Sequence, residues 1–265
     1  MELRVGALGL GNAKNMNSID LNADLGEGSQ FDAQFLQSVS SANIACGGHT
    51  GDRNSILQAL GLAQAAGVQV GAHPSFLDHA HFGRRAMPFD APKILADLRL
   101  QLNLFFDCAA QVGIPVRHVK PHGALYNQAA FDLDFAELIF TSIAEFDKDL
   151  MCVVLAGSPM VEWARARNIT VIEEAFADRR YQYDGRLVSR QMENACIEDE
   201  GSVLQQCLDV IQKAEITSVE GSRLRVHADT LCVHGDGVNA LQLLRYLRQH
   251  FELNGIRVDA FQKLA

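Results

Sequence analysis

Absences narrow this 265-residue chain before any motif does. No apolar run reaches the ~18 residues that a membrane-spanning helix needs. No Lys/Arg-rich stretch occurs, and the formal net charge is −9. Nucleic acid and anionic membrane surfaces are therefore disfavoured as main partners. The six cysteines, at positions 46, 108, 152, 196, 207 and 232, form no C-x-x-C pair. That argues against a disulfide frame or zinc ribbon and for buried thiols in a reducing compartment. The chain is accordingly read as cytoplasmic. Cys46 lies inside a polar motif, where a small core residue is favoured over a nucleophile. A GxxxxGK[ST] phosphate loop is missing, as are a G-x-S-x-G elbow and an HExxH pair. The first 15 residues have neither a signal-like apolar core nor an A-x-A cleavage site. Gly9-Leu10-Gly11 lacks the third glycine of a dinucleotide loop. Residues 1–15 therefore read as a flexible leader, with Met16 a candidate translation start, and 16–265 as one catalytic domain.

What is present is a strand–helix alternation. Short apolar strands are expected at Ser18–Ala23, Ala42–Cys46, Val68–Ala72, from Val116 to a break at Pro121, and at Met151–Leu155, Thr170–Glu173 and Thr230–Val233. Between them fall helices over about Asp32–Val39, Asp52–Ala66, Asp90–Val112, Phe131–Phe146, Pro159–Arg167, Asp199–Ala214 and Gly237–Phe251. Asp52 is placed to cap its helix by accepting from free first-turn N–H groups. Ile216–Val226 reads as a hairpin turning at Glu220-Gly221. About seven repeats of this alternation make a parallel sheet covered by helices, either a (β/α) barrel or an open doubly wound sheet.

The unusual polar residues gather where these strands end. The first strand carries Asp20, Asn22 and Asp24 on one face. The second carries Asn43 and runs into Gly47-Gly48-His49. The third ends at His73-Pro74-Ser75, and the fourth runs His118-Val-Lys120-Pro-His122. Glu173-Glu174, followed by Asp178-Arg179, ends the sixth, and His234-Gly235-Asp236 ends the last. In a barrel all these ends meet on one face, so about six of seven polar strand ends predict a shared pocket. Its carboxylates and imidazoles suit general acid–base work, and Lys120 suits an anionic oxygen or a carbonyl. The same groups could hold a divalent metal, with Asp24, His49, His73 and His122 as the expected ligands, but spacing does not decide whether one is required.

Long stretches resemble one family. They are Ile19-Asp-Leu-Asn-Ala-Asp-Leu-Gly-Glu27, Asn43-Ile-Ala-Cys-Gly-Gly-His49, Gly71-Ala-His-Pro-Ser75 and Phe82-Gly-Arg-Arg85. Val119-Lys-Pro-His-Gly-Ala-Leu-Tyr-Asn127, Glu174-Ala-Phe-Ala-Asp-Arg179 and Cys232-Val-His-Gly-Asp236 complete the series. Together they are similar to the LamB/YcsF family, whose members are the A subunits of prokaryotic 5-oxoprolinase. Departures fall in loops, where Leu77 stands for the family's usual Pro, His81 for Gly, and Ser189 and Glu193-Asn194-Ala195 for a Pro-containing turn. They bear on substrate access more than on chemistry.

The resemblance implies a (β/α)7-type distorted TIM-like barrel related to sugar deacetylases. It also implies ATP-dependent hydrolytic opening of the cyclic amide 5-oxo-L-proline to L-glutamate, in a complex with subunits B and C. ATP is expected to be bound mainly by the partners, since no phosphate loop is recognisable here, and a homo-oligomer is compatible. The expected catalytic set is Asp20, Asp24, His73, Lys120, His122, Glu174 and His234. Asn22, Asn43, His49, Arg179 and Asp236 are the expected substrate-binding set. A metal-dependent deacetylase or carbohydrate hydrolase is the alternative enzyme, and a regulatory or scaffold subunit with a decayed pocket is the non-enzymatic one.

Overall fold

A computed structural model describes residues 18–234 and 239–262. In chain order the elements are β1 (Ser18–Leu25), α1 (Asp32–Phe35), β2 (Ser41–Ala45), α2 (Arg53–Ala66) and β3 (Gln69–His73). Next come α3 (Ala91–Val112), β4 (Val116–Val119), α4 (Gly123–Ala129), α5 (Leu133–Ala144), β5 (Met151–Leu155) and α6 (Pro159–Arg165). The remainder are β6 (Val171–Phe176), α7 (Glu200–Lys213), β7 (Glu215–Thr217), β8 (Arg223–Arg225), β9 (Thr230–Cys232), α8 (Ala240–Leu253) and β10 (Arg257–Val258). Strands β1 to β6 pair in sequence order and all in parallel, and β9 closes the ring by pairing with both β6 and β1. The fold is thus a closed seven-stranded parallel barrel of TIM-like type, and the open-sheet option falls away. The expected hairpin forms as the antiparallel pair β7–β8, outside the barrel. Among the described residues no helix is long and apolar enough to cross a membrane.

Local chemistry sets the helix ends. Asp52 accepts from the Ser55 backbone N–H while the Ser55 hydroxyl accepts from the Asp52 N–H, a reciprocal box at the start of α2. Gly67, at φ 68°, ends that helix in the left-handed conformation that glycine adopts without a Cβ penalty. Helix α3 starts at Asp90, whose carboxylate accepts from Lys93 N–H, and ends at Gly113. The helix expected over Asp32–Val39 is a single turn. Two elements escaped the sequence reading, α4 directly after His122 and the two-residue β10, which pairs with the start of β1. Both are too short to show a hydrophobic period.

Alternation along each strand divides core from interior. Leu21, Ala23 and Leu25 of β1 face outward and are fully buried beneath the helices, with Ile44, Val70, Ala72 and Val154 doing the same on neighbouring strands. Inward positions are largely polar. At the lower end, Phe261 packs with Met151, Val153 and Ile172 and against the His118 ring, centroid to centroid 5.1 Å. Above this seal, Asp20 accepts from Ser40 Oγ at 2.6 Å, from Ser41 Oγ at 2.7 Å and from Thr230 Oγ1. His118, fully buried, donates from Nε2 to Asn43 Oδ1 at 2.8 Å. Its ring lies over Gly71, where any Cβ would overlap it. Cys46 is buried and its thiol is pushed far up by burial, so it behaves as the small core residue expected.

Burial, with a contribution from Glu174, raises the Asp20 pKa to about 6 against the three hydroxyl donors that lower it. A raised folded-state pKa contributes stability that is present below the unfolded value and lost as pH rises through about 6. Two outcomes are expected. The stability difference between wild type and Asp20→Asn, from urea melts at several pH values, changes by up to roughly 3 kcal/mol between pH ~4 and ~6.5 and is flat above. Gly71→Ala lowers unfolding free energy by at least ~2 kcal/mol, and His118→Ala in the same chain recovers part of that loss.

Candidate active site

Above the Asp20 layer the interior becomes charged. Lys120, just past β4, is 2% exposed. Its Nζ lies 2.9 Å from Asp24 Oδ1 and 2.9 Å from Glu174 Oε1, with Cys232 Sγ at 3.2 Å. Burial pulls the ammonium's pKa down, but Asp24, Cys232 and Glu174 more than reverse this and hold it well above its ordinary value. Burial likewise works against Asp24, yet His73 and Lys120 hold its carboxyl well below the usual range. The ammonium and the Asp24 carboxylate are therefore ionised together. Asn22 and Asn43 brace them from below. Asn22 donates to Glu174 Oε1 at 3.0 Å, and Asn43 donates to Asp24 Oδ1 at 2.9 Å.

The Asp24 side of this cluster adjoins three imidazoles. His73 donates from Nδ1 to the Lys120 carbonyl at 2.7 Å, and His122 donates from Nε2 to the Phe82 carbonyl at 3.0 Å. His49 Nδ1 faces Ser75 Oγ at 3.1 Å, and that hydroxyl also lies 2.8 Å from the Phe76 carbonyl. Each ring thus turns its other nitrogen inward, toward Glu27. Glu27 Oε1 is 2.8 Å from His49 Nε2, 3.5 Å from His122 Nδ1 and 3.8 Å from His73 Nε2. These four inward ligand atoms all lie within 4.8 Å of one another. Burial, then the neighbouring imidazoles, pushes His122 well below 6.5, and burial also lowers His49. The turn holding them is strained. Phe82 takes a left-handed φ of 54°, and a Cβ on Gly83 would lie 3.0 Å from His49 Cβ and 3.1 Å from His122 Cδ2.

A cavity of about 780 Å³ opens over these groups. Asp24, Glu27, His73, Lys120, His122, His234 and the buried Arg179 line it, together with the more exposed Arg84, Arg85, Arg186 and Arg190. His234 Nδ1 pairs with Asp178 Oδ1 at 2.9 Å, which leaves Nε2 for other partners. Tyr126 also lines the cavity, and burial with the nearby Glu174 carboxylate holds its phenol well above the ordinary value. Two positions that depart from the family pattern, His81 and Ser189, sit on the same wall.

The expected site residues are thus sorted by depth. Asp24, His73, Lys120, His122, Arg179 and His234 reach the cavity wall. Asp20, Asn22, Asn43 and Glu174 lie in the layers beneath, buried and hydrogen-bonded. His49 backs the wall, stacked on His122 at 3.7 Å. Arg179 spends Nε and one terminal nitrogen on the carbonyls of Ala195 and Val188, which ties down the loop after β6. Asp236 lies outside the described residues, as does the leader. Glu27 is the site residue the strand-end reading missed, because it sits two residues past β1 and no periodicity marks it. In the metal-capable set it takes the place expected of Asp24, whose Oδ1 is turned to Lys120.

Comparison with known proteins agrees with this architecture. The chain is 41% identical over 245 residues to proteins named as the A subunit of 5-oxoprolinase from two strains of Haemophilus influenzae, covering 92% of this chain and 100% of each relative. The crystal structure of a lactam utilization protein from Thermus thermophilus superposes with a TM-score of 0.84 at 38% identity, covering 92% of this chain and 100% of that one. A putative cellobiose-phosphate cleavage protein from Enterococcus faecalis V583 shares the fold, with a TM-score of 0.57 at 11% identity, covering 91% of this chain and 96% of that one. The family model for LamB/YcsF matches residues 19–265, and the chain belongs to the LamB/YcsF family.

Proposed function

We propose that this chain opens the lactam ring of 5-oxoproline to give glutamate, as the A subunit of an ATP-dependent 5-oxoprolinase. Subunits B and C would supply much of the nucleotide chemistry. The observation that carries this reading is the Lys120 ammonium, buried between Asp24 and Glu174 at the foot of an arginine-lined cavity. It stands in a chain whose 41%-identical relatives are named as the A subunit of 5-oxoprolinase. A buried, fixed ammonium stabilises negative charge developing on an oxygen far better than a solvated one does. The arginines suit the substrate carboxylate and a phosphoryl group.

The chemistry follows from the stability of the lactam amide. Transfer of the ATP γ-phosphoryl group to the ring oxygen, with loss of the N–H proton, leaves a C=N bond that water can attack. Expulsion of phosphate from that adduct would only restore the lactam. Productive collapse therefore breaks the C–N bond, giving the free amine and an acyl phosphate, which a second water cleaves to glutamate and phosphate. Within the cavity, Lys120 faces the reacting oxygen. Glu27 is the carboxylate placed to take a proton from water, since Asp24 is held too acidic to be an effective base. His234, oriented by Asp178, is placed to protonate the departing nitrogen through Nε2. The Glu27–histidine cluster also favours a second reading, a metal-dependent deacetylase or carbohydrate hydrolase.

The test is to follow glutamate and phosphate from 5-oxoproline and ATP, with the chain alone and then with B and C. Ring opening is expected only in the complex, and full turnover by the isolated chain would refute the division of labour. Release of acetate from N-acetyl sugars by the chain alone would favour the second reading. Lys120→Ala in the complex is expected to lower turnover at least ~100-fold. It should also destabilise the fold by ~3–5 kcal/mol, because two buried carboxylates lose their counter-charge. Normal activity of a folded Lys120→Ala complex would remove its role.

A further inference from the structure

The inward contacts of the histidine cluster do not balance as they stand. His49 meets the Ser75 hydroxyl through Nδ1 at 3.1 Å, and its Nε2 lies 2.8 Å from a carboxylate oxygen of Glu27. His73 and His122 each hold one N–H on a backbone carbonyl, of Lys120 and Phe82. Their other nitrogens face each other at 3.0 Å, and His73 Nε2 also lies 3.4 Å from Asp24 Oδ2. Two ring nitrogens meeting at 3.0 Å in a buried site repel unless a proton or a cation lies between them.

We infer that His49 Nε2, His73 Nε2, His122 Nδ1 and the Glu27 carboxylate form a binding site for a single first-row transition-metal dication of the Zn²⁺ type. One cation would sit among all four ligand atoms, which lie within 4.8 Å of one another. The donor set, three imidazoles and a carboxylate, suits Zn²⁺ and its neighbours better than Mg²⁺ or Ca²⁺, which prefer oxygen. The size fits. Metal–ligand distances near 2.1 Å place tetrahedral ligands ~3.4 Å apart; the separations here run from 2.8 Å to within 4.8 Å, so the wider pairs close on binding. The supporting shell is also in place, since each imidazole has its remote nitrogen against a carbonyl or a hydroxyl. One adjustment is required. His49 and His122 are stacked at 5° between planes, so their in-plane lone pairs run parallel, and binding must tilt the rings toward a common point. Glu27 and His122 both border the cavity, which provides the entry path. When bound, such a cation lowers the pKa of a water it holds, the task assigned above to Glu27 alone.

The inference concerns metal binding by this chain and does not depend on which substrate it acts on. Its test therefore uses the purified full-length chain, stripped with chelator and titrated with Zn²⁺ or Co²⁺. Metal content after desalting, thermal stability and the visible absorption of Co²⁺ are the readouts. One equivalent retained, a rise in melting temperature and a Co²⁺ spectrum of low coordination number are expected. Glu27→Gln with His122→Gln should weaken binding at least ~100-fold, and Ser75→Ala, which takes away the His49 Nδ1 partner without removing a ligand, by ~10-fold. Circular dichroism confirms that each variant is folded. The inference is overturned if folded wild type retains no stoichiometric metal, or if the double variant binds as tightly as wild type. A chain that binds metal but opens no ring in the complex would overturn the proposed function and leave the site standing.

Discussion

A lysine ammonium held between two carboxylates inside a barrel is the interaction on which the rest of this structure depends. Lys120 enters from β4, Asp24 from β1 and Glu174 from β6, so the triad ties together strands from three parts of the ring. Charges this deep are tolerated only when paired and hydrogen-bonded, because desolvation of a lone ion outweighs what packing returns. The pairing in turn decides what lies below. Asn22 and Asn43 have to point inward to satisfy the carboxylates, and His118, Thr230 and Asp20 follow to satisfy the asparagines and hydroxyls. The barrel is filled by a ladder of polar contacts, with apolar side chains concentrated at its lower seal and on its outer face.

That ladder explains why the upper rim is chemically reactive. Each inward side chain is locked by the layer beneath it, so those at the top present fixed orientations to the cavity. The tautomers of His73 and His122 are set by backbone carbonyls, which can only accept, and these rings turn their lone pairs where Glu27 waits. At the site, backbone strain falls in the Phe82-Gly83 turn that wraps the histidines; Asn168 and Ala214, the other left-handed non-glycine residues described, lie elsewhere. A left-handed non-glycine residue costs roughly 1–3 kcal/mol, and here it aims a carbonyl at His122.

The barrel's strands and long helices were legible in sequence because their signals are local. Caps at Asp52 and Asp90, terminal glycines at 67 and 113, and short β-branched runs locate them within a few residues. The gathering of Asp24, His73, Lys120, His122 and His234 on one face was also legible, since parallel strands carry their C-terminal ends together. Closure was not. Nothing in the run Thr230–Cys232 announces that it pairs with both β6 and β1, because pairing across more than two hundred residues leaves no local mark.

Residue types and strand periodicity alone therefore determined a parallel α/β fold, its helix ends and the inventory of groups at the strand ends. Only the tertiary structure decided depth and direction. Asp20, Asn22, Asn43 and Glu174 share an inward face with the pocket residues but sit below the wall, because a two-residue step along a strand moves an inward side chain one layer deeper. Likewise only the folded ring brought Glu27, from the loop after β1, against imidazoles from β2, β3 and β4. The reason is physical: a side chain's neighbours along the chain fix its conformation, whereas its charge partners are fixed by closure of the barrel.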